Sequence, residues 1–171
     1  MTLAKPEQTE YNAFYAGYIA QVPEGDVTAH LKEQLQKTTG LVAGLTEAQA
    51  LHRYAEDKWS IKEVLGHIAD TERVMSYRLL RVARGDTTPL PGFDQDLFIR
   101  GTAFDEWPLQ RLADELAVVR QATLSLFAGL SPADWLREGS ASGYPITARA
   151  LAYIIAGHEL HHLRIIQERY I

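Results

Sequence analysis

The chain of 171 residues contains no cysteine, which excludes disulfides, thiolate metal sites, iron–sulfur clusters and a cysteine nucleophile. Basic residues are also few: 17 Lys and Arg stand against 22 Asp and Glu, for a formal net charge of −5. Such a chain does not neutralise phosphate in bulk, so we expect no nucleic-acid partner. No apolar run approaches the ~20 residues of a membrane span, and the N-terminus has no apolar export segment. We therefore expect a cytoplasmic protein without a membrane partner.

The apolar residues, which make up 46% of the chain, recur at helical spacing. Their pattern predicts four long helices, at about residues 26–44, 61–83, 108–129 and from 148 nearly to the C-terminus. A shorter aromatic helix is expected within residues 11–19, and no segment has the pattern of a credible hairpin. Length and pattern together predict an all-α four-helix bundle that forms a single domain over residues 1–171, with residues 1–25 as an N-terminal helical arm.

Two connections between the long helices are unusually long, at residues 86–107 and 131–146. Connections of this length are usually functional or disordered. Within the second, the segment from Gly139 to Gly143 has the letters of a nucleophile elbow but lacks the strand-to-helix setting that makes such a serine reactive. Ser60 and Glu63, by contrast, have the spacing of a capping box and predict the start of the second long helix.

Three histidines occupy inward positions on two helices. On a wheel of about 100° per residue, His158 and His162 lie within about 20° of the centre of the apolar face of the last helix. Because they are four residues apart, their rings point the same way at the spacing that chelates one metal ion. His67 lies about 70° from the centre of the inward face of the second long helix. Three neutral imidazoles with open positions beside them are typical of a catalytic metal site.

A purely structural interpretation stands beside the metal site. A single histidine on an apolar face is usually a core residue with satisfied ring nitrogens, and this interpretation has most weight for His67 alone. It is weaker for the pair, because two neighbouring buried imidazoles need two sets of partners. His161 falls on the flank of its helix, as an outer or interface residue, and His30 and His52 are expected at the surface.

The segment from His158 to His162 also matches H-E-x-x-H, the zinc-protease motif whose glutamate is the general base. The extended form of that motif requires glycine where Ile165 stands, and no strand is predicted that could hold a peptide, so a protease is not favoured. Glu159 remains the candidate catalytic residue, as a group that orients a metal ligand or a bound water, with a solvated glutamate as the alternative. Asp70 and Glu63 either hold imidazole N–H groups or form an exposed acidic stripe.

Three segments together resemble the signatures of the DinB-like (DinB/YfiT) superfamily. They are KWSIKEVLGHI at residues 58–68, LPGFDQD at 90–96 and YIIAGHELHH at 153–162. The order and spacing of the segments are more specific than any one of them, and the match runs from about residue 28 to 171.

The resemblance implies an up-down-down-up four-helix bundle with a long crossover connection. It also implies a divalent metal, often nickel, zinc or iron, near one end of the bundle, with His67, His158 and His162 as its ligands. Many members of the family look like homodimers. Some relatives are transferases or isomerases that use a low-molecular-weight thiol, and many have no known reaction.

Two hypotheses follow. In the first, the protein is a metal-dependent enzyme, preferably a low-molecular-weight thiol S-transferase acting on an electrophilic small molecule and otherwise a hydrolase, with residues 86–107 covering the site. In the second, it is a non-catalytic stress-related bundle that binds metal for stability, or a scaffold that binds none.

Overall fold

Four long helices form the framework of the fold in the computed structural model, which describes residues 3–171. Over the described residues, the eight α-helices in chain order are α1 Ala16–Gln21, α2 Val27–Ala43, α3 Glu47–Ala50, α4 Ile61–Ala83, α5 Gln95–Arg100, α6 Leu109–Ala128, α7 Pro132–Trp135 and α8 Ala148–Ile165. A π-helical turn, Ile166–Tyr170, continues α8. Within the described residues, no helix is both long and apolar enough to cross a membrane.

The helix starts follow from the local sequence. At α4, the Ser60 hydroxyl accepts a hydrogen bond from the Glu63 N–H at 3.0 Å, and the Glu63 carboxylate accepts one from the Ser60 N–H at 2.8 Å. This is the predicted capping box, and it satisfies two N–H groups that a helix start leaves without partners. At α8, the Thr147 hydroxyl accepts a hydrogen bond from the Ala150 N–H at 3.1 Å. These caps fix where the two histidine-bearing helices begin.

The four long helices form the predicted bundle, with α2 and α4 on one diagonal and α6 and α8 on the other. Helices α2 and α8 run in the same direction, since Gln34 contacts Ala156 and Thr38 contacts Glu159. Helices α4 and α6 run the opposite way, beside each other. The course is therefore up-down-down-up, as expected, and it places α4 antiparallel against α8.

A two-stranded hairpin precedes α8, so the expectation that the chain has none is wrong. Strands β1 Glu138–Ala141 and β2 Tyr144–Thr147 pair antiparallel. The turn residues Ser142 and Gly143 have φ of 55° and 83°, as a two-residue type I′ turn requires. The dipeptide Ser142-Gly143 is a turn signal in the sequence, but the flanking strands are too short to show a clear strand pattern, and β2 contains Pro145. The segment with the letters of a nucleophile elbow thus forms a β-hairpin.

The connection 86–107 is also ordered and lies against this hairpin. It contains α5 and a 3₁₀ turn, Phe104–Glu106. Leu90 pairs with β1, because its N–H donates to the Ser140 carbonyl and its carbonyl accepts from the Ser142 N–H, both at 2.9 Å. Hairpin and connection therefore form one wall beside the bundle.

Candidate metal centre

Three imidazoles from α4 and α8 meet inside the bundle. The Nε2 atom of His158 lies 3.0 Å from Nε2 of His67 and 3.1 Å from Nε2 of His162. His67 and His158 are buried, and His162 is partly buried. The antiparallel packing of α4 on α8 brings His67 to the two positions that lie one turn apart on α8. Within residues 3–171, the structure brings together all three histidines predicted from the sequence, and no carboxylate belongs to the cluster.

Burial keeps the three rings neutral. It lowers the pKa of His67 to about 4 and, together with the neighbouring His67 and His161, lowers the pKa of His162 to about 3. The pKa of His158 lies well below its usual range, because burial and the adjacent imidazoles oppose a charge there. Neutral imidazole is the form that binds metal ions. Near pH 7, the cluster therefore offers nitrogen lone pairs.

The spacing of the nitrogens fits a shared cation. Two imidazole nitrogens that each lie about 2.0–2.1 Å from one metal ion are about 2.8–3.4 Å apart at the angles of octahedral and tetrahedral coordination. Two of the three separations, 3.0 and 3.1 Å between Nε2 atoms, fall in that range, and the three donor atoms all lie within 4.8 Å of one another. The Thr71 hydroxyl lies 3.4 Å from Nδ1 of His67, where it can hold the ring in one orientation. The donor set therefore fits a divalent ion of the zinc, nickel or iron class.

Aromatic side chains close around the imidazoles. The ring of Trp59 lies 4.8 Å from that of His67, and the ring of Tyr18 lies 5.6 Å from that of His158. Tyr18 reaches this position because α1 packs closely on α8 at Gly157, where an added Cβ would lie only 2.1 Å from the Tyr18 carbonyl oxygen. The sequence pattern gave no reason to single out Tyr18 or Gly157. An unexplained glycine inside a helix was the only available signal.

A cavity of about 370 Å³ opens beside the cluster. Two of the histidines, His67 and His158, form part of its wall. The other lining residues are largely aromatic and apolar and include no carboxylate: Phe14, Tyr15, Tyr18, Thr71, Met75, Gly92, Phe93, Gln95, Ser142 and Ile154. Three of them come from the connection 86–107, which lies over the site as the sequence analysis expected.

Glu159 faces away from the cluster into a buried ion pair. Its carboxylate accepts hydrogen bonds from Arg120 at 2.6 Å and from the Thr38 hydroxyl at 2.5 Å. Arg120 also binds Glu72 through two bonds of 2.9 and 2.8 Å, and it donates to the Leu31 carbonyl. The structure therefore does not bring Glu159, the expected catalytic residue, to the three histidines. Its carboxylate instead joins α8 to α6 and α2.

The remaining polar candidates also lie outside the cluster. Asp70 pairs with Arg73 at 3.2 Å, and the Glu63 carboxylate is used by the capping box and by Arg53. His161 packs edge-on against the ring of Tyr18, on the flank of α8 as predicted. None of these side chains holds an imidazole N–H of the cluster.

Comparison with known proteins identifies the family. The sequence model of the DinB superfamily matches residues 30–166 of the chain. The chain belongs to the DinB superfamily. Its fold is similar to that of YfiT from Bacillus subtilis, with a TM-score of 0.72 at 16% sequence identity over 96% of this chain and 90% of that one. YfiT is described as a probable metal-dependent hydrolase with an unusual four-helix bundle topology.

No curated protein matches this DinB-superfamily chain. At 16% identity, the likeness to YfiT shows the fold alone. The family match includes all three histidines but begins after Phe14, Tyr15 and Tyr18. One wall of the cavity therefore lies outside the matched segment.

Proposed function

We propose that this DinB-superfamily protein is a metal-dependent enzyme whose single divalent ion is held by His67, His158 and His162. The observation that carries the proposal is the meeting of three neutral Nε2 atoms beside a cavity of about 370 Å³. When bound, an ion with three imidazole ligands and open positions lowers the pKa of a water molecule or a thiol and so supplies a nucleophile. The chain contributes the ligands, a largely apolar cavity and a covering connection.

The preferred reaction is transfer of a low-molecular-weight thiol to an electrophilic small molecule. A new sulfur–carbon bond forms, the leaving group departs with its electron pair, and the thiol proton passes to solvent. This version is favoured by the cavity beside His67 and His158, whose wall holds no carboxylate over the described residues, whereas Asp57 and Asp96 line the separate cavity at His162. A thiol with an ordinary pKa of about 8.5 loses its proton without a nearby protein base, whereas hydrolysis commonly relies on one. Phe14, Met75 and Phe93 suit the apolar body of an electrophile.

Tyr18, whose ring packs against that of His158, can assist the same reaction. Burial raises the pKa of its phenol, so the side chain remains protonated at neutral pH. A protonated phenol that lines the cavity can donate a hydrogen bond to a departing group. We therefore assign Tyr18 as the residue that assists the leaving group.

Metal-dependent hydrolysis is the second candidate. The fold likeness to YfiT favours it, because YfiT is described as a probable metal-dependent hydrolase. The same three ligands would serve, with water in place of the thiol.

Metal content tests the common part of both versions. Untagged protein purified without chelator is analysed by mass spectrometry beside the variants His158→Ala, His162→Ala and, as a matched control on the same helix, His161→Ala. We expect near-stoichiometric metal in the wild type and the control and little in the other two variants. Absence of metal from every sample, even after incubation with zinc or nickel, would overturn the proposal and favour the scaffold hypothesis.

A reaction screen separates the versions. Metal-loaded protein is tested for conjugation of glutathione to 1-chloro-2,4-dinitrobenzene and, in parallel, for hydrolysis of ester and amide substrates. We expect conjugation that is lost in His158→Ala and weakened in Tyr18→Phe. Hydrolysis without conjugation would favour the second candidate, and stoichiometric metal with neither reaction would favour a non-catalytic metal-binding bundle.

A further inference from the structure

A buried arginine without an anionic partner contacts residues that line the cavity beside the histidines. Arg78 on α4 is only 2% exposed, yet within the described residues its guanidinium forms no ion pair with a carboxylate. Among residues 3–171, the two other buried Lys and Arg side chains are Arg120 and Lys62, and both are paired with glutamates. A buried charge ordinarily has a partner of opposite sign, because removing it from water is costly.

The contacts of Arg78 are all neutral. Its Nη2 donates to the Pro91 carbonyl at 2.6 Å and to the Ser142 hydroxyl at 3.2 Å, and its Nη1 faces the Met75 sulfur at 3.6 Å. The guanidinium also lies over the Phe93 ring, 5.6 Å from its centroid. These bonds occupy three of the five N–H donors of the side chain, so donor capacity and an uncompensated positive charge both remain.

The position of Arg78 connects it to the candidate metal centre. Three of its contact residues, Met75, Phe93 and Ser142, line the same cavity as His67. Arg78 itself lines an adjoining apolar cavity of about 390 Å³, which shares the Phe93 wall. Helical rise places the Arg78 backbone about 16 Å along α4 from that of His67. The two adjoining cavities therefore have imidazoles in the wall of one and a guanidinium in the wall of the other.

We propose that Arg78 binds an oxyanion group, a carboxylate or a phosphate, at the end of an extended substrate whose reactive atom lies at the three histidines. This inference rests on the proposed function and names its substrate class: an acidic thiol or an acidic electrophile. A guanidinium matches the planar geometry of carboxylate and phosphate oxygens and forms charge-assisted bonds with them. A bound oxyanion would supply the negative charge that Arg78 lacks among the described residues. Ser142 and Phe93 position Arg78 for that contact.

Calorimetry on the metal-loaded full chain tests the proposal, with glutathione, its diethyl ester and inorganic phosphate as probes. The two thiols differ in their carboxylates, whereas phosphate presents an oxyanion alone. The variants are Arg78→Gln, Arg78→Lys and the control Arg81→Gln, which removes a more exposed arginine, paired with Asp86, nearly one turn further along α4. Metal content is measured for every protein, so that loss of the metal centre is seen separately from loss of the anion site.

We expect wild type to bind glutathione about 10- to 100-fold more tightly than the diester, the range set by charge-assisted hydrogen bonds. Arg78→Gln should abolish this preference, Arg78→Lys should retain part of it, and Arg81→Gln should match wild type, all with unchanged metal content. If phosphate competes with glutathione in wild type but not in Arg78→Gln, the site accepts phosphate. Absence of such competition, with the preference for the acid intact, would assign a carboxylate site.

Equal binding of acid and diester by wild type would overturn the proposal, and so would a preference that survives in Arg78→Gln. Failure of both glutathione and phosphate to bind would also overturn it, while stoichiometric metal would leave the proposed function standing. Ser142→Ala provides the structural comparison, because it removes one neutral contact and keeps the charge. If Arg78→Gln does not fold, the proposal is tested by the binding of glutathione and its diethyl ester to wild type and to Arg78→Lys.

Discussion

Substitution of Gly157 by alanine tests whether the close approach of α1 to α8 holds the aromatic wall of the site in place. The added Cβ would lie 2.1 Å from the Tyr18 carbonyl oxygen, 2.4 Å from its carbonyl carbon and 3.0 Å from its Cα. To bring the oxygen from 2.1 Å to the 3.4 Å of ordinary contact, the backbone of α1 must retreat by about 1.3 Å. Overpacking of this kind costs about 1–3 kcal/mol. Alanine gains at most about 1 kcal/mol over glycine in a helix.

We therefore expect the free energy of unfolding of Gly157→Ala in urea to lie up to about 2 kcal/mol below that of wild type, when both carry the same metal. Gly40→Ala is the matched control, because Gly40 lies on an exposed helix position with nothing within 4 Å of the added Cβ. It should be neutral or up to about 1 kcal/mol more stable. Proteolysis should cut residues 3–26 faster in Gly157→Ala, as α1 loosens. Equal stability of the two variants would refute the reasoning, because the contact with Tyr18 would then impose no constraint.

Three further predictions concern charge, pH and metal. Arg120→Met leaves Glu72 and Glu159 buried without a cation and should cost about 3–5 kcal/mol of unfolding free energy. Arg73→Met removes an exposed ion pair and should cost less than about 1 kcal/mol. Similar losses for the two variants in urea unfolding would contradict this prediction. Because burial lowers the pKa of the clustered histidines, the unfolded chain takes up protons first as the pH falls. Metal-free protein should therefore lose stability between about pH 6.5 and pH 4, by up to about 1.4 kcal/mol per pH unit for each histidine. His162→Asn should reduce that slope in urea unfolding, and an unchanged slope would exclude His162 as its source. Removal of metal by chelation should lower the midpoint of thermal unfolding, and a midpoint that does not respond to chelator or to added zinc would contradict a bound ion.

The helices and the three histidines could be predicted because both depend on local periodicity. Spacing alone puts His158 and His162 on the inward face of one helix, and the antiparallel packing of α4 brings His67 to them. The capping box at Ser60 is likewise local, since both partners lie within one turn. In each case the deciding contact lies within a single helix or follows from the packing of two amphipathic faces.

The parts that could not be predicted depend on contacts between segments distant in sequence. The orientation of Glu159 is set by Arg120 on α6 and Thr38 on α2, and no periodicity in α8 reveals those partners. The hairpin was missed because each strand has only four residues, and its pairing with Leu90 depends on the connection 86–107. Arg78 looks like an ordinary helix residue in the sequence. Only the surrounding Pro91, Phe93 and Ser142 make it a buried cation.

The N-terminal segment supplies part of the cavity wall but none of the three clustered histidines. The three histidines lie within residues 30–166, which the superfamily shares, whereas Phe14, Tyr15 and Tyr18 precede that range. Exchange of residues 3–26 for another sequence would change the shape and polarity of the cavity without altering any of the three histidines. A relative that kept the three histidines and carried a different terminal segment would therefore have a differently shaped cavity beside them.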